Sequence, residues 1–390
     1  MGTLFRGATV ILPTESGIFD SGVTDVLVEG GLIAAVEHGL SGDGHGEVDL
    51  AGKFLAPAYM DIHRHGGLGA DVMDGTVGAL RKISEQCARH GVAAWCPTTM
   101  TEAPEAILRS IAACREFMDS FAADCAEPLG VHLEGPYIDK RKKGAQPEQH
   151  VKTGVELDCR PFFDRCPGTV RMITLAPEIA DNRVVIEEAV RRGIVVIAGH
   201  TSASYDEMVE AQKAGISQGT HTWNQMELIH HRKPATVGAV LRLKGIWMQL
   251  IVDFVHIHPA VCDISIRAKG MAETVLITDA ISGAGMPDGM YKLGGQDIEV
   301  KEGAVRLADG TLAGSSLEMD TAVRNALECT GLPLAQCIQM ASWNPARSIG
   351  VGDRMGAIAP GMLANLNILD ADLNIVQTYI HGRLFQSEAA

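Results

Sequence analysis

The residues able to do chemistry fall into a few short clusters. His63 and His65 stand two apart in Asp61-Ile62-His63-Arg64-His65-Gly66-Gly67. In an extended segment that spacing points both imidazoles to one face, as two ligands of one metal ion require. The pair alone fits two hydrogen-bonded polar histidines equally well. Three more ligand-type residues follow, each at the end of a short apolar run: Glu134 before Gly135-Pro136, His200 after Gly199, and His221 before Thr222-Trp223-Asn224. Glu134 offers two oxygens that can bridge two cations, and His200 with His221 can complete a second site that keeps positions open to water. Read singly, Glu134 could be an ion pair beneath a loop and each histidine a hydrogen-bonded core residue, although a glutamate there needs a strong partner either way. Asp279 follows Val275-Leu276-Ile277-Thr278. A carboxylate beside a metal-activated water can take its proton and deliver it to a leaving amine. The alternative for Asp279 is a helix N-cap.

These clusters need a scaffold that brings them to one place. Apolar or β-branched runs recur at 57–62, 92–97, 129–133, 170–175, 194–198, 216–220, 246–252 and 274–278. Between them lie amphipathic stretches such as 76–90, 104–119, 182–192 and 204–214, three of them opened by Thr76, Pro104 and Ser204, residues favoured at helix starts. Eight strand–helix units imply parallel pairing and a (β/α)8 TIM barrel of the α/β class, whose functional residues sit at the C-terminal ends of strands. All the clusters above lie at such ends. The flanks read differently: 3–50, 286–314 and 361–386 alternate apolar and polar residues with Gly and Asp turns. The expected organisation is therefore 1–56 and 359–390 as the two parts of a small β-sandwich, around a barrel at 57–358 with a β insertion near 286–314.

Composition bounds the function. A chain of 390 residues, 46% hydrophobic and 21% charged, has the make-up of a globular protein with one large core and a smaller module. Its formal net charge of −15 argues against nucleic acid or an anionic membrane as partner. Nine cysteines form no CxxC pair and read as reduced. With no apolar stretch at 1–14 suited to a signal peptide and no membrane-spanning run, the expected location is the cytoplasm. The one basic run, Lys140 to Lys143, reads first as a solvated loop, with attraction of an anionic small molecule as the other possibility.

The chain resembles the N-acetylglucosamine-6-phosphate deacetylases of the amidohydrolase superfamily over nearly its whole length. The resemblance rests on PAYMDIHRHGG (57–67), HLEGPYI (132–138), KKGA (142–145), TLAPE (174–178), AGHTSA (198–203), HTWNQM (221–226), LITDAISGAGMPDGMYKLGG (276–295), GTLAGSSLEM (310–319) and NPAR (344–347). It implies a divalent metal (Zn, Fe, Mn or Co) on Glu134, His200 and His221, a second one made possible by His63 and His65, and catalysis by Asp279. It also implies substrate contacts from Asn224, Gln225 and His256, and from Arg232, which in similar enzymes reaches the sugar phosphate of a neighbouring subunit in a homodimer. A guanidinium suits that task because it grips phosphate with paired hydrogen bonds. Three positions in the substrate loops depart from the family pattern: Gln146 where a His usually follows KGA, expected to contact the substrate as a hydrogen-bond donor without positive charge, Gln225 in place of Ala, and Phe254 in place of a small residue. Gln225 and Phe254 are expected to narrow the pocket. The other readings are a deacetylase of a different N-acetyl hexosamine, such as the galactosamine 6-phosphate epimer, and a catalytically silent barrel acting as a scaffold.

Overall fold

The computed structural model describes residues 2–386 of the chain. Eight parallel strands form the barrel: Tyr59–Arg64, Val92–Thr99, Val131–Glu134, Val170–Leu175, Val195–Ala198, Ile216–Gly219, Trp247–Ile251 and Thr274–Ile277, paired in that order. Four are buried along their whole length and the other four at all but one residue, as strands covered outside by helices and inside by the side chains that fill the barrel must be. The ring closes at its C-terminal end, where the amide of Asp279 donates to the carbonyl of His63 (2.9 Å) and that of His65 to Ala280 (2.8 Å). Asp61 adds a side-chain tie between first and last strands, accepting from the Thr278 hydroxyl at 2.5 Å. Candidate catalytic and ligand residues thus belong to the barrel seam itself.

The helices start where their residue chemistry allows. Thr76 accepts from the amide of Ala79 at the head of Val77–Arg89, and Pro104 is the first residue of Pro104–Asp119. Ser204 and Glu207 form a reciprocal capping box for Tyr205–Ala214. The fourth barrel helix is Arg183–Arg191.

Both chain ends build the second module. Thr3–Pro13, Phe19–Glu29, Leu32–Glu37, Gly46–Asp49 and Phe54–Pro57 join Leu366–Leu369, Ile375–Ile380 and Arg383–Leu384 in one eight-stranded sheet. It folds over on itself, since Ile33 donates to the carbonyl of Met362 (2.8 Å) and Ala364 to that of Gly31 (2.9 Å), enclosing Phe5, Val10, Val26, Leu55 and Leu366. The result is a (β/α)8 barrel with a small β-sandwich. The first barrel strand begins at Tyr59, later than the apolar run suggests, because Phe54–Pro57 is spent on the sandwich, pairing with Leu366–Leu369. Gly289–Leu293, Gln296–Lys301 and Ala304–Arg306 form a three-stranded antiparallel insertion over Met100 and Ile281.

One buried ion pair braces the barrel rim. Arg64, between the two histidines of the first strand, gives its guanidinium to both oxygens of Glu318 (2.7 and 3.1 Å), and Gln86 donates to the same carboxylate at 3.0 Å. Both members are buried, so removing one charge strands the other in a low-dielectric setting. Glu318→Gln is expected to cost about 3 kcal/mol of unfolding free energy. Urea denaturation of the two proteins at neutral pH checks this; an unchanged midpoint and slope would mean that Arg64 finds other compensation.

Candidate active site and metal centre

Four imidazoles and two carboxylates meet at the C-terminal mouth of the barrel. Their ligand atoms form two groups, His63–His65–Asp279 and Glu134–His200–His221. Glu134 spans both. Its Oε1 lies 3.3 Å from His63 Nε2, 3.3 Å from His200 Nε2 and 3.0 Å from His221 Nε2, while Oε2 lies 3.3 Å from His65 Nε2. Asp279 Oδ1 stands 3.3 Å from His63 Nε2 and 3.2 Å from His65 Nε2.

The orientation of every ring is set from behind. His65 Nδ1 is 3.1 Å from the carbonyl of Thr98, His200 Nδ1 2.8 Å from that of Lys142, and His221 Nδ1 3.2 Å from that of Asn224. His63 Nδ1 lies 3.1 Å from the Thr220 hydroxyl and 3.3 Å from Gln249 Oε1. Each Nε2 is thereby left for the centre, the arrangement that outer-shell partners impose on metal-binding histidines. Buried His63 Nε2 has no hydrogen-bond partner among the described residues. An orphaned imidazole nitrogen beside two carboxylates fits a divalent cation.

The backbone is contorted where it delivers these groups. His200, His221 and Asp279 adopt φ of 46°, 25° and 52°, and Gln225 and Phe254 are also left-handed. Such conformations cost about 1–3 kcal/mol each and gather at functional sites. Space explains Gly199: a Cβ there would collide with Thr220 and Thr174, so only glycine lets the fifth strand turn His200 inward.

Electrostatics favours an ionised base. Burial pushes the Asp279 carboxyl up, but the positive potential of His63 and the contact with His65 outweigh it and hold it below the usual range. Glu134 behaves in the same way, burial being overcome by His63 and by hydrogen bonds with His200 and His221. His132, on the third strand, joins neither group; its Nε2 meets the Thr174 hydroxyl at 2.7 Å and burial pushes its pKa down.

A cleft of about 360 Å³ opens onto this centre, lined by His65, Glu134, Gln146, His200, His221, Asn224, Gln225, His256 and Asp279, and further out by Arg306, Thr311 and Leu312. His256 is clamped by Asp253, its Nδ1 2.6 Å from Oδ2. Burial opposes charge on His256, but this bond overrides it and the pKa is raised. Gln146 lines the cleft with its amide already engaged: it accepts from the Thr101 amide (2.7 Å) and donates to Glu134 Oε2 (2.6 Å). Phe254 corrects an expectation, because it packs against the barrel core and does not line the cleft. Arg232 is exposed on its loop, donating to His231 Nε2 at 2.7 Å, outside the cleft of its own chain. In the basic run Arg141 pairs with Asp139 (2.7 Å) and Lys142 with Glu227 (2.9 Å), leaving neither in the cleft.

Asp253, Thr220, Gln249 and Arg306 carried no sequence signal of their own. The first three act by holding a histidine. Their partners become visible only once strands six and seven, and the loop after the seventh, are placed in space.

A parallel barrel whose strand ends converge histidines and carboxylates on one cleft defines a metal-dependent hydrolase. A model of the amidohydrolase family matches residues 54–385, and the chain belongs to that family. It is 38% identical over 378 residues to an N-acetylgalactosamine-6-phosphate deacetylase of Escherichia coli O157:H7, covering 96% of this chain and 97% of that one. It is 36% identical over 361 residues to an N-acetylglucosamine-6-phosphate deacetylase of Lysinibacillus sphaericus, covering 92% of each. Among solved structures, the N-acetylglucosamine-6-phosphate deacetylase of Pasteurella multocida superposes with a TM-score of 0.92 at 28% identity, over 99% of this chain and 100% of that one. A mutant of the Mycobacterium smegmatis enzyme in complex with N-acetyl-D-glucosamine-6-phosphate gives 0.90 at 30% identity, over 98% and 99%.

Proposed function

We propose that this chain hydrolyses the acetamide of N-acetylglucosamine 6-phosphate to glucosamine 6-phosphate and acetate, using one or two divalent cations (Zn, Fe, Mn or Co) held by Glu134, His200 and His221 and by His63 and His65. The observation that carries this reading is the convergence of all five ligands with Asp279, His63 buried against Glu134 and Asp279 and the other four lining one cleft of small-molecule size. A bound divalent cation would polarise the acyl oxygen and acidify water. Asp279 is the proton carrier: its carboxylate takes the proton that water loses on attacking the acyl carbon and hands it to the nitrogen as the C–N bond breaks. Gln146 keeps Glu134 from swinging away, and Asn224, Gln225 and His256 orient the sugar. Loss of a ligand or of the acid–base carboxylate would favour a silent scaffold. None is missing.

A second reading is the galacto epimer. It is favoured by the 38% identity to a deacetylase of that substrate and by Gln225, which lines the cleft where the family pattern has alanine. We place Arg232 across a homodimer boundary; beside it Leu228 and Ile229 are 57% and 46% exposed, apolar surface that a second subunit would cover. Cytoplasmic residence is proposed from nine cysteines that all stand as free thiols. No helix among the described residues is long and apolar enough to cross a membrane.

The test is acetate release from the gluco and galacto epimers, each with and without the 6-phosphate, by the natural protein and by Arg232→Ala. The expected result is turnover of a phosphorylated N-acetylhexosamine, with Arg232→Ala raising its KM roughly 10-fold or more while kcat/KM on the unphosphorylated sugar falls far less. No acetate from any of the four would remove the deacetylase reading, and equal losses on both substrate classes would make Arg232 structural.

A further inference from the structure

An anionic substrate needs a cation inside the cleft, and this chain supplies one that neither motif nor spacing marks. Arg306 ends the strand Ala304–Arg306 and lines the cleft with Gly310, Thr311 and Leu312. It is the one arginine or lysine among the described residues that do so. Its guanidinium makes a single protein hydrogen bond, to the carbonyl of Gly310 at 2.9 Å, and no described carboxylate pairs with it. Arginines elsewhere on the surface mostly have such a partner, as Arg141, Arg160 and Arg267 do. The Arg306 charge reaches the site, where it opposes protonation of His256 while Asp253 and Asp279 favour it.

The hairpin that carries Arg306 is anchored to the catalytic segment. Leu307 donates to Thr311 (2.9 Å), Gly310 to Leu307 (2.9 Å) and Ala313 to Val305 (3.1 Å), which fixes the turn. The returning chain then binds the strand-eight end, Ser315 donating to the carbonyl of Asp279 at 2.8 Å and Ile281 to that of Ser315 at 3.0 Å. Gly314 permits that approach, because a Cβ there would stand 2.9 Å from the Asp279 carbonyl oxygen and 2.5 Å from Ile281 Cγ2. Arg306 and Asp279 are therefore parts of one hydrogen-bonded unit that lines a single cleft. The carboxylates and the metal ligands are its buried part, and the unpaired guanidinium is on its exposed, outer part.

Building on the deacetylase reading above, we infer that Arg306 reads the phosphate monoester of the substrate from within its own chain, on the exposed, outer part of the cleft. The guanidinium fork matches two phosphate oxygens, and with a chain net charge of −15 a local cation is what lets a dianion enter. The residue binds and selects; it takes no part in the proton transfers.

The inference is tested with Arg306→Gln and Arg306→Lys on the metal-loaded protein, read by calorimetric binding of glucose 6-phosphate, which has no acetyl group to hydrolyse, and by turnover. Arg306→Gln is expected to weaken glucose 6-phosphate binding roughly 10- to 100-fold and to raise KM for the phosphorylated N-acetylhexosamine by a similar factor, the scale of one charged hydrogen-bonding pair. kcat should change little, the unphosphorylated sugar should lose far less, and Arg306→Lys should recover part of the binding. Because Arg306 serves its own subunit, mixing Arg306→Gln with Asp279→Asn chains restores nothing, whereas Arg232→Ala mixed with Asp279→Asn would regain one complete site per dimer. Glucose 6-phosphate binding that is absent from the natural protein, or unaltered in Arg306→Gln, overturns the inference. So do equal losses on phosphorylated and unphosphorylated sugars. If the natural protein releases no acetate yet binds glucose 6-phosphate through Arg306, the deacetylase reading fails and the phosphate site stands.

Discussion

Asp279→Asn is expected to lower kcat by roughly two to four orders of magnitude while the variant folds, loads metal and binds sugar phosphate like the natural protein. The amide is close to isosteric with the carboxylate and keeps one oxygen near His63 and His65, 3.3 and 3.2 Å away in the natural chain. The backbone ties of this residue also survive, since they run through the peptide amide to the His63 carbonyl and through the carbonyl to the Ser315 amide. What disappears is the ability to hold a proton between water and the leaving nitrogen. His63 and His65 keep the natural carboxyl well below its ordinary range, so the base form is present at neutral pH and no activating titration precedes it. The measurement is single-turnover acetate release alongside metal analysis and glucose 6-phosphate affinity. Turnover within about tenfold of the natural rate would take Asp279 out of the proton pathway, because that is less than a general acid–base normally contributes.

How far the sequence discloses this site depends on how local each signal is. The His63–His65 spacing, the capping residues Thr76 and Ser204 and the strand periods are properties of contiguous residues, and the structure realises them nearly as read. The first barrel strand starts at Tyr59, two residues after the 57–62 run opens, because Pro57 closes Phe54–Pro57, which pairs with Leu366–Leu369 more than 300 residues away. Phe254 misleads for a related reason. Its place beside Asp253 and His256 suggests the cleft, but at φ 62° its ring packs on the barrel core instead. Arg306 is hidden most thoroughly. It sits in a polar hairpin that reads as an ordinary surface insertion, and only the return of residues 313–315 onto Asp279 turns that hairpin towards the cleft. Arg64 lies inside the most legible motif of all, yet its role depends on Glu318, 254 positions further on.

Replacing Glu134 removes the group that the two halves of the centre share. Its Oε1 is within 3.3 Å of three imidazole nitrogens and its Oε2 within 3.3 Å of a fourth, so Glu134→Ala leaves His63 and His65 with Asp279 on one side, and His200 and His221 with no carboxylate on the other. Loss of an outer-shell partner typically lowers metal affinity or activity 10- to 100-fold, and loss of a directly placed carboxylate should exceed roughly 100-fold. The amide of Gln146 would also lose its acceptor at 2.6 Å, which loosens the cleft wall. The purified variant is therefore expected to hold little metal on the His200–His221 side and to show almost no turnover. Glu134→Gln, which keeps volume but not charge, should fall between the variant and the natural protein in metal content. Arg306 lies on a separate hairpin, so glucose 6-phosphate should still bind the Ala variant through its phosphate. Metal quantification on gel-filtered protein, paired with acetate release, checks the prediction. Full metal occupancy together with near-natural turnover in Glu134→Ala would mean that the cation sits elsewhere in the cleft and that this glutamate is a structural acceptor for its histidine neighbours.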